Sequence, residues 1–141
     1  MRDTLEAAAI AAGADVVIYD TEVYQNILMD HTAIGRVICL IDEFGTLEKE
    51  FVGNGVITSM PIRVKFVKAV ELERTAIENE PTLSLLSDCF DEFIVQLVHS
   101  YFFRSTIRFS LIKYNENVSD INAIGWTGSA TLILNEGYGT C

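Results

Sequence analysis

Basic residues are scarce in this sequence. Ten Lys and Arg stand against 20 Asp and Glu, a formal net charge of −10 over 141 residues. Binding to a phosphate backbone over a broad surface wants clustered Lys and Arg, so the composition argues against it. It argues equally against docking on an anionic membrane surface. Histidine is scarcer still. His31 and His99 are the only two, and neither has a partner at HExxH-like spacing. The three cysteines, Cys39, Cys89 and Cys141, form no CxxC pair, and an odd count supports neither a disulfide framework nor a zinc site. Cys39 and Cys89 lie in apolar surroundings and are expected to be buried as small hydrophobes, in a reducing compartment. No apolar run approaches the roughly 18 residues that span a bilayer. The opening residues superficially resemble a signal peptide. Asp3 and Glu6 stand where positive charge should be, so a helix is the better reading.

What is present is a core. Half of the residues are apolar, too many for a disordered chain. A chain of this length buries roughly two-thirds of its unfolded surface. No linker, internal repeat or low-complexity stretch divides it, so residues 1–141 are expected to form one α+β domain. Asp3 and Glu6 resemble a capping box and Gly13 a helix stop, with Leu5, Ala8, Ala9 and Ala12 on one face. These predict a helix over residues 3–13. Residues 16–19 read as a short strand. Residues 34–44 read as a strand buried on both faces, because their apolar side chains scarcely alternate. Residues 22–30 are ambiguous between helical and extended.

Asn54-Gly55 between apolar pairs predicts a hairpin over residues 51–57. Residues 61–70 alternate, with Ile62, Val64 and Phe66 facing one way and Arg63 and Lys65 the other. After an acidic stretch over residues 71–81, Leu83, Leu86, Phe90, Phe93, Ile94, Leu97 and Tyr101 recur at helical spacing. They predict a long amphipathic helix starting at Thr82 or Ser84. Residues 107–114 and 126–134 read as two further strands. The natural packing is a single antiparallel or mixed sheet with the N-terminal helix and the long helix on one side.

Candidate chemistry is sparse. Asp30 and His31 form an acid–base pair without a nucleophile or oxyanion site. The glutamates Glu71, Glu73, Glu78 and Glu80 fit no coordination loop, and a solvated charged linker is the simpler reading. Residues 115–120 place oxygen side chains at alternate positions but lack the glycine and closing glutamate of a calcium loop. Residues 125–128 (GWTG) lack the lysine and glycine spacing of a phosphate loop, so a glycine there signals a bulge or a close neighbour. No catalytic residue, metal ligand or cofactor is expected. Tyr101, Phe102 and Phe103 are harder to dismiss, because three consecutive aromatics cannot share one helix face. At least one is expected to make a second contact, within the chain or between chains.

The order of elements resembles the small tail-terminator, tail-completion and neck proteins of tailed bacteriophages. The likeness is carried by residues 3–13, the strand over 62–70, the helix over 83–103, and residues 107–134 with their Asn-rich crossover and Gly-containing last strand. It is one of pattern over most of the chain. The segment around Asn54 and the acidic residues 71–80 have no counterpart in it. The resemblance implies a virion protein, assembled in the host cytoplasm, that forms a closed homo-oligomeric ring, often a hexamer. Neighbouring connector and tail proteins are its partners, DNA passes through its lumen without being held, and it is no enzyme.

Two other readings stay open. One is an acidic binding or inhibitor protein that occupies a basic site on a partner. The other is a small-ligand domain, which needs convergent polar groups on the inward faces of strands. Those positions, Ile62, Val64, Phe66, Phe109 and Leu111, are apolar and favour a filled core instead. On the assembly reading, the candidate contacts are Tyr101, Phe102, Phe103, Asn54, Asn117 and Asp120. The last three lie in the apparent connections 45–59 and 115–125, which are expected to reach neighbours. Some of Glu71, Glu73, Glu78, Glu80, Asp88, Asp91 and Glu92 are expected to face the lumen, where negative charge repels DNA.

Overall fold

The computed structural model describes residues 2–19, 35–43, 47–53, 55–71, 76–104, 107–118 and 121–135. Asp30, His31, Asn54, Glu73, Asp120 and Cys141 lie outside them, as does the ambiguous segment 22–30. The described residues form an α+β fold, in the order α1 (Arg2–Ala11), β1 (Val16–Ile18), β2 (Val37–Glu43), β3 (Glu48–Val52), β4 (Gly55–Glu71), α2 (Ala76–His99), β5 (Ser110–Val118) and β6 (Ile121–Ile133).

Helix α1 ends as its glycine requires. Gly13 has φ +110°, a conformation costly for any residue with a Cβ. Gly13 N–H donates to Ile10 O at 3.1 Å and Ala14 N–H to Ala9 O at 3.1 Å, the two bonds of a Schellman stop. The chain then turns into β1. Here Asp15 exchanges two hydrogen bonds with Val37: its N–H donates to Val37 O at 2.8 Å, and its carboxylate accepts from Val37 N–H at 2.9 Å. This clasp fixes the parallel register of β1 on β2, Val16 opposite Ile38.

The sheet is mixed, in the order β1-β2-β4-β6-β5, with β3 also on β4. Only the β1–β2 pair is parallel. Strand β4 is its spine and pairs with β6 from Ser59 to Glu71. Its other side carries β2 up to the Glu43–Ile62 pair and then β3 from the Glu48–Ser59 pair. Pro61, which has no N–H for a ladder, sits opposite that interruption.

Two expected connections are therefore strands. Within residues 45–59, β3 and the start of β4 form a hairpin closed by the Val52–Gly55 pair. The connection is residues 53–54, one position earlier than an Asn54-Gly55 turn, and Gly53 supplies the positive φ of +62°. Within residues 115–125, β5 runs to Val118 and β6 starts at Ile121, joined through residues 119–120. The Asn-rich segment is a hairpin and not a crossover. The first hairpin follows its local signal with the turn moved by one position; in the second, strand pairing across the sheet overrides a polar, Gly-containing local sequence.

Helix α2 starts at Ala76, earlier than Thr82, and carries Pro81 inside it. Its acidic first turns suit the positive end of the helix dipole. Leu86, Phe90, Phe93 and Leu97 are buried as the periodicity requires, together with Cys89. They pack on the Ile62, Val64 and Phe66 face of β4. Phe66 meets Phe90 edge-on at 4.9 Å and Phe93 at 5.6 Å, and Phe109 closes the group at 5.8 Å from Phe90. Tyr101 does not continue this stripe, since it lies past the helix end. The other face of the sheet is not uniformly polar. Arg63 is exposed, but Ile18, Ile38, Leu40, Val67, Ala69 and Ala123 form a second buried cluster toward the β1 edge. β2 contributes to both clusters, as its near-continuous apolar sequence predicts.

Candidate assembly surface

Where α2 stops, the chain makes a tight corner that holds one aromatic ring out of the core. Ser100 Oγ donates to Leu97 O at 2.6 Å and accepts from Phe102 N–H at 3.2 Å. Tyr101, between them, adopts φ +58°, the left-handed region that a bulky side chain avoids. It is the only non-glycine residue with positive φ among those described. Tyr101 is 71% exposed. The conformation persists because the flanking backbone is clamped. Asn135 Nδ2 donates to Tyr101 O at 2.6 Å and to Phe103 O at 2.8 Å, and Asn135 N–H donates to Phe102 O at 3.0 Å.

Of the three consecutive aromatics, Phe103 is buried and Phe102 is partly buried beside it, with ring centroids 5.0 Å apart. Phe103 bridges Leu134, and Leu134 N–H donates to Thr58 O at 3.0 Å. The Tyr101 corner is thereby tied to the base of the β3–β4 hairpin. That hairpin carries further exposed apolar side chains on one face: Phe51, 74% exposed, and its direct cross-strand partner Val56. Leu47, just before β3, is exposed as well. On the edge strand β5, Ile112 is 71% exposed. Sequence reading singled out Tyr101 but missed Phe51, Val56, Ile112 and the clamp Asn135. The first two lie in the expected hairpin over residues 51–57, where sequence alone did not show that their side chains face water. Asn135 had no local signal, because the carbonyls it holds lie more than 30 residues away in the chain.

The remaining candidates are dispersed. Asn117 falls in β5, Glu71 ends β4 and Glu78 is in the first turn of α2. Glu80, Asp88, Asp91 and Glu92 are all exposed. At about 100° per residue they share one outward sector of α2, opposite the Phe90 and Phe93 side. Gln96 braces that row, donating to Glu92 at 2.8 Å. Trp126 is partly buried and donates to Leu83 O at 2.9 Å, which anchors α2 to β6 and gives the ring a structural role. Gly125 is a close-approach glycine, since a Cβ there would lie 2.8 Å from Val67 Cα.

His99 ends α2 and is exposed. With Asp3, Thr4, Gln96 and Ser100 it lines an open groove of 390 Å³ between the two helices. Among the described residues, no three His, Cys, Asp or Glu are grouped to hold a metal ion, and no helix is long and apolar enough to cross a membrane. Cys39 and Cys89 are buried free thiols, and burial raises the pKa of both. Compared with known proteins, the chain matches no protein-family model and no curated protein.

Proposed function

We propose that this chain is a structural subunit of a phage-type neck or tail terminus, forming a homo-oligomeric ring that joins connector to tail and lets DNA pass. The observation that carries the reading is the Tyr101 corner. An exposed aromatic held at φ +58° by three hydrogen bonds from one asparagine is pre-organised, and strain of this kind is kept where a contact uses it. The exposed Phe51 and Val56 on the adjoining hairpin and Ile112 on the edge strand add apolar surface that a solitary subunit would leave wet. The acidic outer row of α2 supplies the repulsion that a channel for a polyanion needs. Native mass measurement and negative-stain images of the purified chain test the reading. A closed ring that fails to retard duplex DNA at low salt supports it. A monomer at all concentrations, or tight DNA binding at low salt, rejects it.

A second reading, an acidic protein occupying a basic site on a partner, is favoured by one observation. Glu80, Asp88, Asp91 and Glu92 share a single exposed face. That reading requires the free chain to be monomeric and its complex to weaken steeply with salt.

A further inference from the structure

We propose that residues 133–135, where the chain leaves β6, form a latch that sets the Tyr101 corner and couples it to the β3–β4 hairpin. Closed, the latch holds Tyr101 in its left-handed form. Open, it releases the ring to negative φ. The device lies within one chain, and its use, presenting two contact surfaces together, rests on the assembly reading. Three consecutive residues make the closure. Ile133 O accepts from Arg104 N–H at 2.7 Å, Leu134 N–H donates to Thr58 O at 3.0 Å, and Asn135 N–H donates to Phe102 O at 3.0 Å. Asn135 Nδ2 adds its bonds to Tyr101 O at 2.6 Å and Phe103 O at 2.8 Å. Residues 101–104 are thereby each gripped through their backbone by a segment distant in sequence.

Tyr101 has two backbone states, and the latch selects between them. A bulky residue prefers negative φ, and helix stops that need positive φ usually place glycine there, as Gly13 does after α1. The local bonds at the corner are Tyr101 N–H to Val98 O at 3.3 Å and the two made by Ser100 Oγ. The carbonyl that Asn135 grips at 2.6 Å is that of Tyr101 itself, so turning the residue breaks this bond. The clamp therefore decides whether the strained state is kept. The change stays local. Buried Leu97 holds the end of α2 on one side, and buried Phe103 anchors the chain on the other. A sign change of φ at Tyr101 moves its ring without moving either layer. Leu134 is the joint to the hairpin. It is buried, bridges Phe103, and donates to Thr58, itself buried at the base of the ribbon that carries Phe51 and Val56. A contact that seats Phe51 and Val56 stiffens Thr58 and, through Leu134, the latch. A contact that seats Tyr101 stiffens the hairpin in return, because such coupling is reciprocal.

Hydrogen exchange on the full chain, read by mass spectrometry, tests the latch with Asn135→Ala, Tyr101→Gly and the double variant. Tyr101 is exposed and Asn135 only partly buried, so all three should keep the parent's circular dichroism. Asn135→Ala should speed exchange about tenfold over residues 101–104 and also over the hairpin strands, 48–52 and 55–58, while sparing 37–41 in β2. In the Tyr101→Gly background the same substitution should act far less on the hairpin, because glycine holds positive φ without the clamp. Equal effects in both backgrounds, including none, would make Asn135 an ordinary strut. Acceleration confined to 101–104 would remove the coupling to the hairpin. Either result overturns the proposal and leaves the ring reading untouched. Native mass spectrometry of the same samples decides that reading separately: a parent that never assembles defeats the ring and leaves the latch standing.

Discussion

Replacing Phe93 by alanine removes the side chain on which the two layers meet. Phe93 is fully buried in α2, with ring centroids 5.6 Å from Phe66, 6.5 Å from Phe90 and 6.1 Å from Phe109. A buried Phe→Ala change costs about 3–5 kcal/mol, the spread reflecting how far the site collapses. Collapse is limited here, because Phe66 sits on β4, a strand paired along both sides, and Phe90 is held on the same helix as Phe93. Each edge-on aromatic pair adds about 0.5–1.5 kcal/mol beyond area burial, which places the expected loss near the top of that range. A chain of this size has roughly 7–20 kcal/mol of stability at about 0.05–0.15 kcal/mol per residue. The variant should therefore fold, with a melting midpoint lowered by about 10–20 °C. Urea unfolding followed by Trp126 fluorescence measures the loss at an unchanged denaturant slope. Val95→Ala, at an exposed position of the same helix, is the control and should change stability by no more than about 0.5 kcal/mol. A loss under about 1 kcal/mol for Phe93→Ala, or equal losses for both, would refute the account of how α2 packs.

Four further outcomes follow from particular contacts. Gly125→Ala should cost about 1–3 kcal/mol or more, because its Cβ meets backbone at Phe66 and Val67. Gly128→Ala should cost less, since its Cβ meets the movable ends of Leu111, Phe90 and Phe109, and paired denaturation curves compare the two. Tyr101→Gly relieves the positive φ and should not lower the melting midpoint, yet should weaken the oligomer seen in native mass spectra. A drop above about 1 kcal/mol would mean that the ring serves the fold instead. Asn135→Ala should cost about 1–2 kcal/mol by releasing the Tyr101 and Phe103 carbonyls, read by thermal melting. Burial pushes the Cys39 thiol far above its ordinary pKa of 9.0, so the folded state holds a proton that the unfolded state releases. The stability from this site is intact below about pH 9 and falls above it by up to about 1.4 kcal/mol per pH unit, a slope that Cys39→Ala should flatten in alkaline melts.

The sequence by itself determined which residues make the core and which elements carry them. Leu86, Phe90, Phe93 and Leu97 recur with the helical period, Ile62, Val64 and Phe66 with the strand period, and residues 37–41 scarcely alternate. Each period maps directly onto a buried face, and all of these side chains are buried. The Ala face of α1 and its Gly13 stop were legible for the same reason, since both depend on near neighbours in the chain. Wherever distant backbone supplies the partner, local pattern failed. The hairpin over residues 51–57 was legible from Asn54-Gly55, but its one-position shift, its extension back to Glu48 and the strands within 115–125 arise because β4 and β6 offer complete ladders. The left-handed Tyr101 corner exists only because Asn135, 34 residues later, reaches its carbonyl once β6 has returned beside the end of α2. Burial follows the period of the nearest residues and can be read along the chain. Backbone pairing and the strain it can hold depend on which distant strands meet, and the tertiary structure alone decides that.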